Sequence, residues 1–446
     1  MTHKRKPLTL IVKDGWLNLM TGLGVLNKDK RMSAEVLWDL PGQTEVENMY
    51  AQDDMSAKIV DTLPEDALRQ WIEIKGIEQD KEKKITDKLA DLGAQTKLQQ
   101  GWQQGRLYGG SGVMIVTDDS ADLEKPLDKS RVRRVHSLTV FNRYELSVEK
   151  TVTSLRAKNF GDHELYGLYP TTTADEFSLK AHASRFMRFD GVKLPRKLEV
   201  TNHYWGDSVL TRSKNAIRNY NVSHDAATTA LQDFNVDVFK MKNLAELVAS
   251  GQEEDIRKRI EIANMGKSVI RALVLDMEED YETKARTLTG VPDILKATGD
   301  RLSASTNMPH TKLLGESPSG LGATGDSELR NWYDFVKSQQ TLVLKPHIDL
   351  LIELIQLELF GAIDPKLSWT FNSLWQPTEK EQTEIRNLQS VIDKNYIESQ
   401  VLTPDEVAVS RFGGDGYSTD TVINMKMRVE PQDPIKKEPV VKPVQQ

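Results

Sequence analysis

The sequence has no cysteine, which excludes a disulfide framework, a Cys-ligated zinc site and a thiol nucleophile. That is compatible with a reducing compartment and says no more. No apolar run approaches the roughly 20 residues of a membrane span. Leu8–Val12 is too short for a signal-peptide core, and no small-residue cleavage site follows it. Charge is not lopsided: 59 Lys and Arg face 66 Asp and Glu, a formal net charge of −7. A general nucleic-acid coat would be strongly basic. Hydrophobic residues are 38% of the 446, against roughly 45–50% in an ordinary globular chain with Gly counted. The core is therefore expected to be thin, with burial continuing between chains in an assembly.

Catalytic spacings are also missing. Gly266-Lys267-Ser268 ends like a phosphate loop, but the glycine required five positions earlier is Glu261, so a helix-to-strand turn is the better account. Gly109, Gly110 and Gly112 lack the G-x-G-x-x-G spacing and read as the start of a strand. The eight histidines show neither H-E-x-x-H nor an i, i+4 pair. His182-Ala183-Ser184 is the only H-x-[ST] triplet, whereas a two-histidine phosphoesterase needs two, one imidazole as base and the other as acid. Acidic pairs such as Asp118-Asp119 are adjacent and read as solvated turns. No cofactor and no metal is expected.

What is present is mostly helical periodicity. Residues 1–43 form a mixed arm with a basic start. A helix is predicted from Thr44 to a stop at Pro64, a second over Pro64–Trp71, and a charged one over Asp80–Gly101. VMIV, RRVHSLTVFNRYELSV, HELYGLY and RKLEVTNHYW read as strands. In Ser208–Phe234 the apolar positions Ile217, Tyr220, His224, Ala227 and Leu231 step by three and four, a seam on a long helix. VDVFKM and SVIRALVL read as strands around a charged helix, Glu253–Arg259. Its plain interpretation is a solvated face, and its functional one a small docking surface built from Glu253, Glu254, Asp255, Arg257, Lys258 and Arg259. Helix Val291–Met308, with Pro292 in its first turn, carries a polar stripe of Asp293, Lys296, Asp300, Ser303 and Asn307. Residues 309–327 hold four glycines and two prolines and cannot be helix. A long helix follows over Ser327–Phe360, capped by Asp326 or Ser327, with a kink expected at Pro346. Residues 383–426 read as helical, and 431–446, with four prolines, as a disordered tail.

Taken in order, MSAKIVDTLPEDALRQWIEI, GRLYGGSGVMIV, HYWGDSVL, MPHTKLLGESPSGLGATGDSE, QQTLVLKPHIDLLIELI and WTFNSLWQPTEKEQ resemble the portal proteins of tailed bacteriophages, in the branch common in prophages. The R-x-Y-G-G strand start, the W-G-x-S lead into a stem helix and the loop segment carry the likeness, over roughly residues 45–400. The resemblance implies an α+β, mainly helical portal fold. Its parts would be an arm and wing (1–207), first stem helix (208–234), clip (235–290), second stem helix (291–308) and tunnel loop (309–327). A long wing helix with a strand–turn (328–382), a small crown (383–430) and a tail (431–446) would follow; the crown is shorter than helical crowns elsewhere in the family.

It further implies a homo-oligomeric ring, typically of twelve subunits, at one capsid vertex, through which double-stranded DNA enters and leaves. The terminase large subunit, the head-completion or tail adaptor and the major capsid protein would be partners, with no membrane. The location would be the virion and, during assembly, the host cytoplasm. The tunnel loop would present Lys312, Gly315, Glu316, Gly320, Gly322, Gly325 and Asp326. The polar stripe would face the channel, the apolar seam the neighbouring subunit, and the charged clip helix the motor. A net charge of −7 repeated around a ring favours sliding over gripping DNA. Related sequences are sometimes named for cleavage of cyclic-nucleotide defence signals, but such enzymes use paired H-x-[ST] triplets. A nucleotide-acting phosphoesterase or nuclease, and another virion structural protein, stay open as alternatives.

Overall fold

A computed structural model describes residues 42–119, 122–170, 179–232, 235–240, 254, 257–258, 261, 280–285, 289–315, 325–375 and 379–412. The expected arm over 1–41, most of the expected clip with the segment SVIRALVL, and the expected tail lie outside the described residues. The chain divides into two compact units, Met1–Leu374 and Trp375–Gln446.

The first unit opens with α1 (Gln43–Gln52) and α2 (Asp54–Arg69). The break expected at Pro64 falls instead at Asp53, whose carboxylate accepts from the Ser56 N–H at 2.7 Å as an N-cap. Pro64 sits inside α2. The predicted helix over 80–101 is likewise two, α3 (Gln79–Asp91) and α4 (Ala94–Tyr108), parted at Gly93 with φ +58°. Ile59, Leu63, Ile85, Leu89, Leu98 and Trp102 from these helices fill one core with strand β1 (Ile72–Lys75).

Three antiparallel strands follow in the order β3-β2-β7: β2 (Gly110–Thr117) lies between β3 (Val135–Asn142) and β7 (Phe186–Asp190). Val113 is in register with Val140 on one side and Met187 on the other. A second sheet has the order β4 (Leu146–Thr151), β5 (His163–Leu168), β6 (Leu179–His182). The expected strand RKLEVTNHYW is instead a helix, α5 (Arg196–Thr201), followed by a turn in which His203 and Tyr204 have φ +56° and +63°. Pro195 supplies the fixed φ and the carbonyl that starts it: the Leu198 and Glu199 N–H groups donate there at 2.8 and 3.0 Å.

Helix α6 (Val209–Gln232) continues into β8 (Asn235–Lys240), which pairs antiparallel with β9 (Asp280–Ala285) and leads back to α7 (Val291–Thr306). After a one-turn helix α8 (His310–Leu313), α9 (Asp326–Gln339) runs through a wider π turn, Gln340–Leu344, into α10 (Lys345–Phe360). The expected long helix is therefore continuous. Its irregularity precedes Pro346 because a proline ring clashes with the carbonyl four residues back and removes its donor, and a widened turn accommodates both. Glu358 ties the end of α10 to α3 and β3: it takes the Lys88 ammonium at 2.6 Å and the Val135 N–H at 2.8 Å. Strand β10 (Ser368–Phe371) pairs antiparallel with β1, Ile72 opposite Phe371.

In the second unit, α11 (Glu379–Glu398) and α12 (Pro404–Phe412) occupy the described part of the expected crown. Arg411 joins them through two 2.9 Å hydrogen bonds to Asp393, which hold that carboxyl below its usual range.

Candidate channel segment

The two motifs R-x-Y-G-G and W-G-x-S, far apart in sequence, meet. A Cβ on Gly109 would strike the Gly206 carbonyl, and one on Gly110 the Trp205 ring, so both positions exclude a side chain. Ser208 then caps the start of α6, its hydroxyl accepting from the Leu210 N–H at 3.2 Å, and Asp207 accepts from the Ser208 N–H at 2.7 Å and the Thr211 hydroxyl at 2.9 Å. Trp205 lies beneath the Arg188 guanidinium, 4.9 Å from the ring centroid. This junction fixes where the first long helix leaves the wing.

Helices α6 and α7 run antiparallel. The Ser213 hydroxyl donates to the Ser305 carbonyl at 3.4 Å, and Tyr220 lies over Gly299, where a Cβ would come within 2.9 Å of Leu314 and 3.3 Å of His310. The apolar seam on α6 therefore serves partly within the subunit. Ile217 is buried in its core, and the half-buried Tyr220 packs against that core. The physical reason is proximity: the partner helix arrives through the β8–β9 ladder of the same chain. Further along, His224 is exposed and Ala227 half-buried, while the Leu231 side chain lies outside the described residues.

On α7, Asp293, Lys296, Asp300 and Asn307 are exposed. Ser303 is half-buried, and its hydroxyl donates to the Met308 carbonyl at 2.5 Å, closing the helix end around Asn307 at φ +58°. Asp300 Oδ1 lies 3.5 Å from His310 Nε2. The loop that follows is bounded by Gly315 and Gly325 at φ +76° and +75°. Gly325, not Asp326 or Ser327, is the N-cap of α9. Glu316, Gly320, Gly322 and the Asp326 side chain lie outside the described residues. In the clip, Glu253, Asp255 and Arg259 also lie outside, whereas Glu254, Arg257 and Lys258 are exposed and Arg257 pairs with Glu261 at 3.4 Å.

Both margins of the loop are fastened to α2 by a residue the sequence did not single out. Asp66, 6% exposed, accepts from the Lys312 ammonium at 3.0 and 2.9 Å and from the Trp332 indole N–H at 2.7 Å. Lys312 precedes the loop and Trp332 follows it. The Thr311 hydroxyl also donates to Glu328 at 3.3 Å across the same gap, and Gln340 of the π turn donates to the Ala67 carbonyl at 2.6 Å. The signal was available: Asp66 falls between Leu63 and the apolar pair Ala67–Leu68, and a carboxylate in a buried stripe needs donors. Lys312 is thus paired with Asp66 at the margin of the loop.

A separate cleft of about 750 Å3 holds both His163 and His182 with Arg188 and Asp190. Each imidazole has bonded partners of its own. His163 is buried, which drives its pKa down to about 3; one nitrogen accepts from the Tyr166 hydroxyl at 2.7 Å and the other donates to the Tyr204 carbonyl at 3.0 Å. His182 Nδ1 accepts from the Ser184 N–H at 3.1 Å and lies 2.9 Å from its hydroxyl, so the lone H-x-S triplet closes its own turn. Among the described residues no group of three or more His, Asp or Glu is placed to hold a metal ion, and no helix is long and apolar enough to cross a membrane.

Comparison with known proteins adds three kinds of likeness. A protein of Caulobacter sp. (strain RHG1) named anti-CBASS protein Acb1 is 30% identical over 394 residues, which cover 85% of this chain and 62% of that protein. Another so named, from Sphingomonas paeninsulae, is 25% identical over 89% of this chain and 64% of its own length. The chain thus spans less than two thirds of these relatives. Among solved structures, the neck of a native gene transfer agent particle computed with C12 symmetry aligns over 85% of this chain and 96% of its own at 13% identity and a TM-score of 0.49. An HK97 family portal protein from Corynebacterium diphtheriae aligns over 76% of this chain and 99% of its own at 11% identity and a TM-score of 0.36. The phage portal protein family matches residues 44–395, from α1 into α11, and this chain belongs to that family.

Proposed function

We propose that the chain is the subunit of a portal ring at a phage capsid vertex through which double-stranded DNA is packaged and later released. The observation that carries this reading is the family match over residues 44–395, which takes in every element of the channel segment. The pinned loop supports it: a glycine-bounded segment held at both ends by one buried carboxylate suits an adjustable constriction on a rigid mount. In this reading α6 and α7 are stem helices, residues 235–290 the clip, 309–327 the tunnel loop and 383–430 a small crown. The exposed side chains of Asp293, Lys296, Asp300 and Asn307 face the channel, and twelve or so subunits repeat them. The terminase large subunit, the tail adaptor and the major capsid protein are the partners, in the virion and in the host cytoplasm during assembly. Particle images are the test: a central pore at one vertex supports the reading, and a solid or absent assembly there rejects it. Deleting Ser319–Ala323 should leave rings intact and reduce the DNA retained.

A second reading is favoured by the name shared by two relatives, which would make the chain an enzyme against a nucleotide signal. We infer instead that it has no catalytic role, since it carries one H-x-[ST] triplet where that chemistry needs two. Incubation with cyclic dinucleotides should leave them intact. Metal-stimulated cleavage lost on His182→Ala would reverse this conclusion.

A further inference from the structure

We propose that Asp66 is a charge gate on Lys312: by holding that ammonium against α2 it withholds from the channel one phosphate-binding cation per subunit, and removing the Asp66 charge releases that cation. This rests on the channel reading above and goes beyond it by assigning the loop's electrostatic state to a residue of the wing.

Four observations carry it. Lys312 is three residues from Gly315, where the positive φ begins the loop, so its side chain is at the margin of the segment it would serve. Its helix is a single turn whose Leu313 is fully buried, so the backbone is held while the side chain alone can swing. Asp66 keeps a second donor, the Trp332 indole at 2.7 Å, and so retains a partner when the lysine leaves. Around the ammonium lie acidic and aromatic groups, and the Arg69 guanidinium shares the Tyr333 ring with it, 5.7 Å from the centroid. Glu65 beside it has its pKa raised by burial and by Asp61 and Asp66, and the Tyr333 ring centroid is 5.8 Å away. Held, the pair is neutral and adds nothing to phosphate affinity. Released, each lysine that reaches a phosphate steepens the salt dependence of DNA binding by close to one unit of the log–log slope.

The experiment uses full-length protein and three variants, Asp66→Asn, Lys312→Met and the double variant. Asparagine keeps the carbonyl that receives the Trp332 N–H. The first readout is the acylation rate of Lys312 by mass spectrometry, which is independent of any portal role. Asp66→Asn should raise it about tenfold, the factor matching the loss of one charge-assisted hydrogen bond. The second readout is binding of a 30-base-pair DNA duplex against sodium chloride concentration. Asp66→Asn should bind more tightly with a steeper slope, the double variant should return to the wild-type value, and Lys312→Met alone should leave it unchanged. Unchanged acylation in Asp66→Asn overturns the gate, as does raised acylation with unaltered DNA binding. Should Asp66→Asn fail to fold, Lys312→Met still decides: weakened DNA binding in that variant would mean the lysine is already on the phosphate. Absence of rings in the wild type would reject the channel reading while leaving the acylation result readable.

Discussion

Arg106 donates from Nε to the Val60 carbonyl at 2.9 Å, the carbonyl that Pro64 leaves without its helical donor, and from Nη2 to the Ile59 carbonyl at 2.6 Å. A proline inside a helix lacks the N–H owed to the residue four back. Here a guanidinium from the neighbouring helix supplies it. Burial lowers the Arg106 pKa to about 10, with Asp61 opposing, so the group stays charged at neutral pH. Arg106→Met should cost about 1–3 kcal/mol, by leaving the Val60 carbonyl without a donor. Adding Pro64→Ala should recover about 1 kcal/mol, because an alanine N–H at that position restores the helical donor to Val60. Urea denaturation of the single and double variants measures this. Effects that simply add, within about 0.5 kcal/mol, would show that the two sites are uncoupled.

Two substitutions on α6 should separate folding from assembly. Ile217→Ala opens a cavity in the subunit core and should cost about 2–4 kcal/mol, read as a lower thermal midpoint. Ala227→Glu, at a half-buried position further along, should leave that midpoint within about 0.5 kcal/mol and abolish assembly in light scattering. Assembly unaffected by Ala227→Glu would move the subunit interface elsewhere.

Stability should fall as pH drops below the ordinary histidine range. Burial depresses the pKa of His163 to about 3 and of His347 to about 4; the His347 ring also bonds to the Arg188 carbonyl at 2.8 Å. Both folded values lie below the unfolded value near 6.5, so the unfolded state takes up protons first. Their contribution is whole above about pH 6.5 and is lost progressively toward pH 3–4, at up to about 1.4 kcal/mol per pH unit for each group. Thermal midpoints between pH 7 and 4.5 test this, and His347→Gln should flatten the slope. A midpoint constant over that range in the wild type would contradict it.

Reversing Glu253, Glu254 and Asp255 to Lys should leave rings intact and weaken docking of the packaging motor, more so at low salt than at high salt. Pull-down of the motor protein at two ionic strengths is the measurement. Equal capture by wild type and triple variant would remove the clip helix from the docking surface.

Local pattern was legible where local physics decides. The three-and-four spacing on Ser208–Phe234 and the Pro292 start of α7 each give a helix whose bounds the structure matches to within two residues at either end. The reading failed where a distant group overrules the local signal. Pro64 stops a helix unless something answers Val60, and Arg106 does so from 46 residues away. RKLEVTNHYW alternates like a strand, but Pro195 and two left-handed residues turn it. At the candidate site the loop margins were visible as a glycine-rich gap. Asp66 was not connected to them, because its partner Lys312 is 246 residues along and no spacing rule reaches so far.

The pairing of Ile72 with Phe371 carries a consequence for how the chain is made. Synthesis proceeds at roughly 5–20 residues per second, so β10 emerges roughly 15–60 s after β1. Through that interval α1, α2 and β1 lack the strand and much of the helix that cover them. The nascent wing must therefore wait with an open strand edge and uncovered apolar side chains, in a cell filling with identical half-made copies. Demand on chaperones should concentrate in this window and end once residue 371 leaves the ribosome.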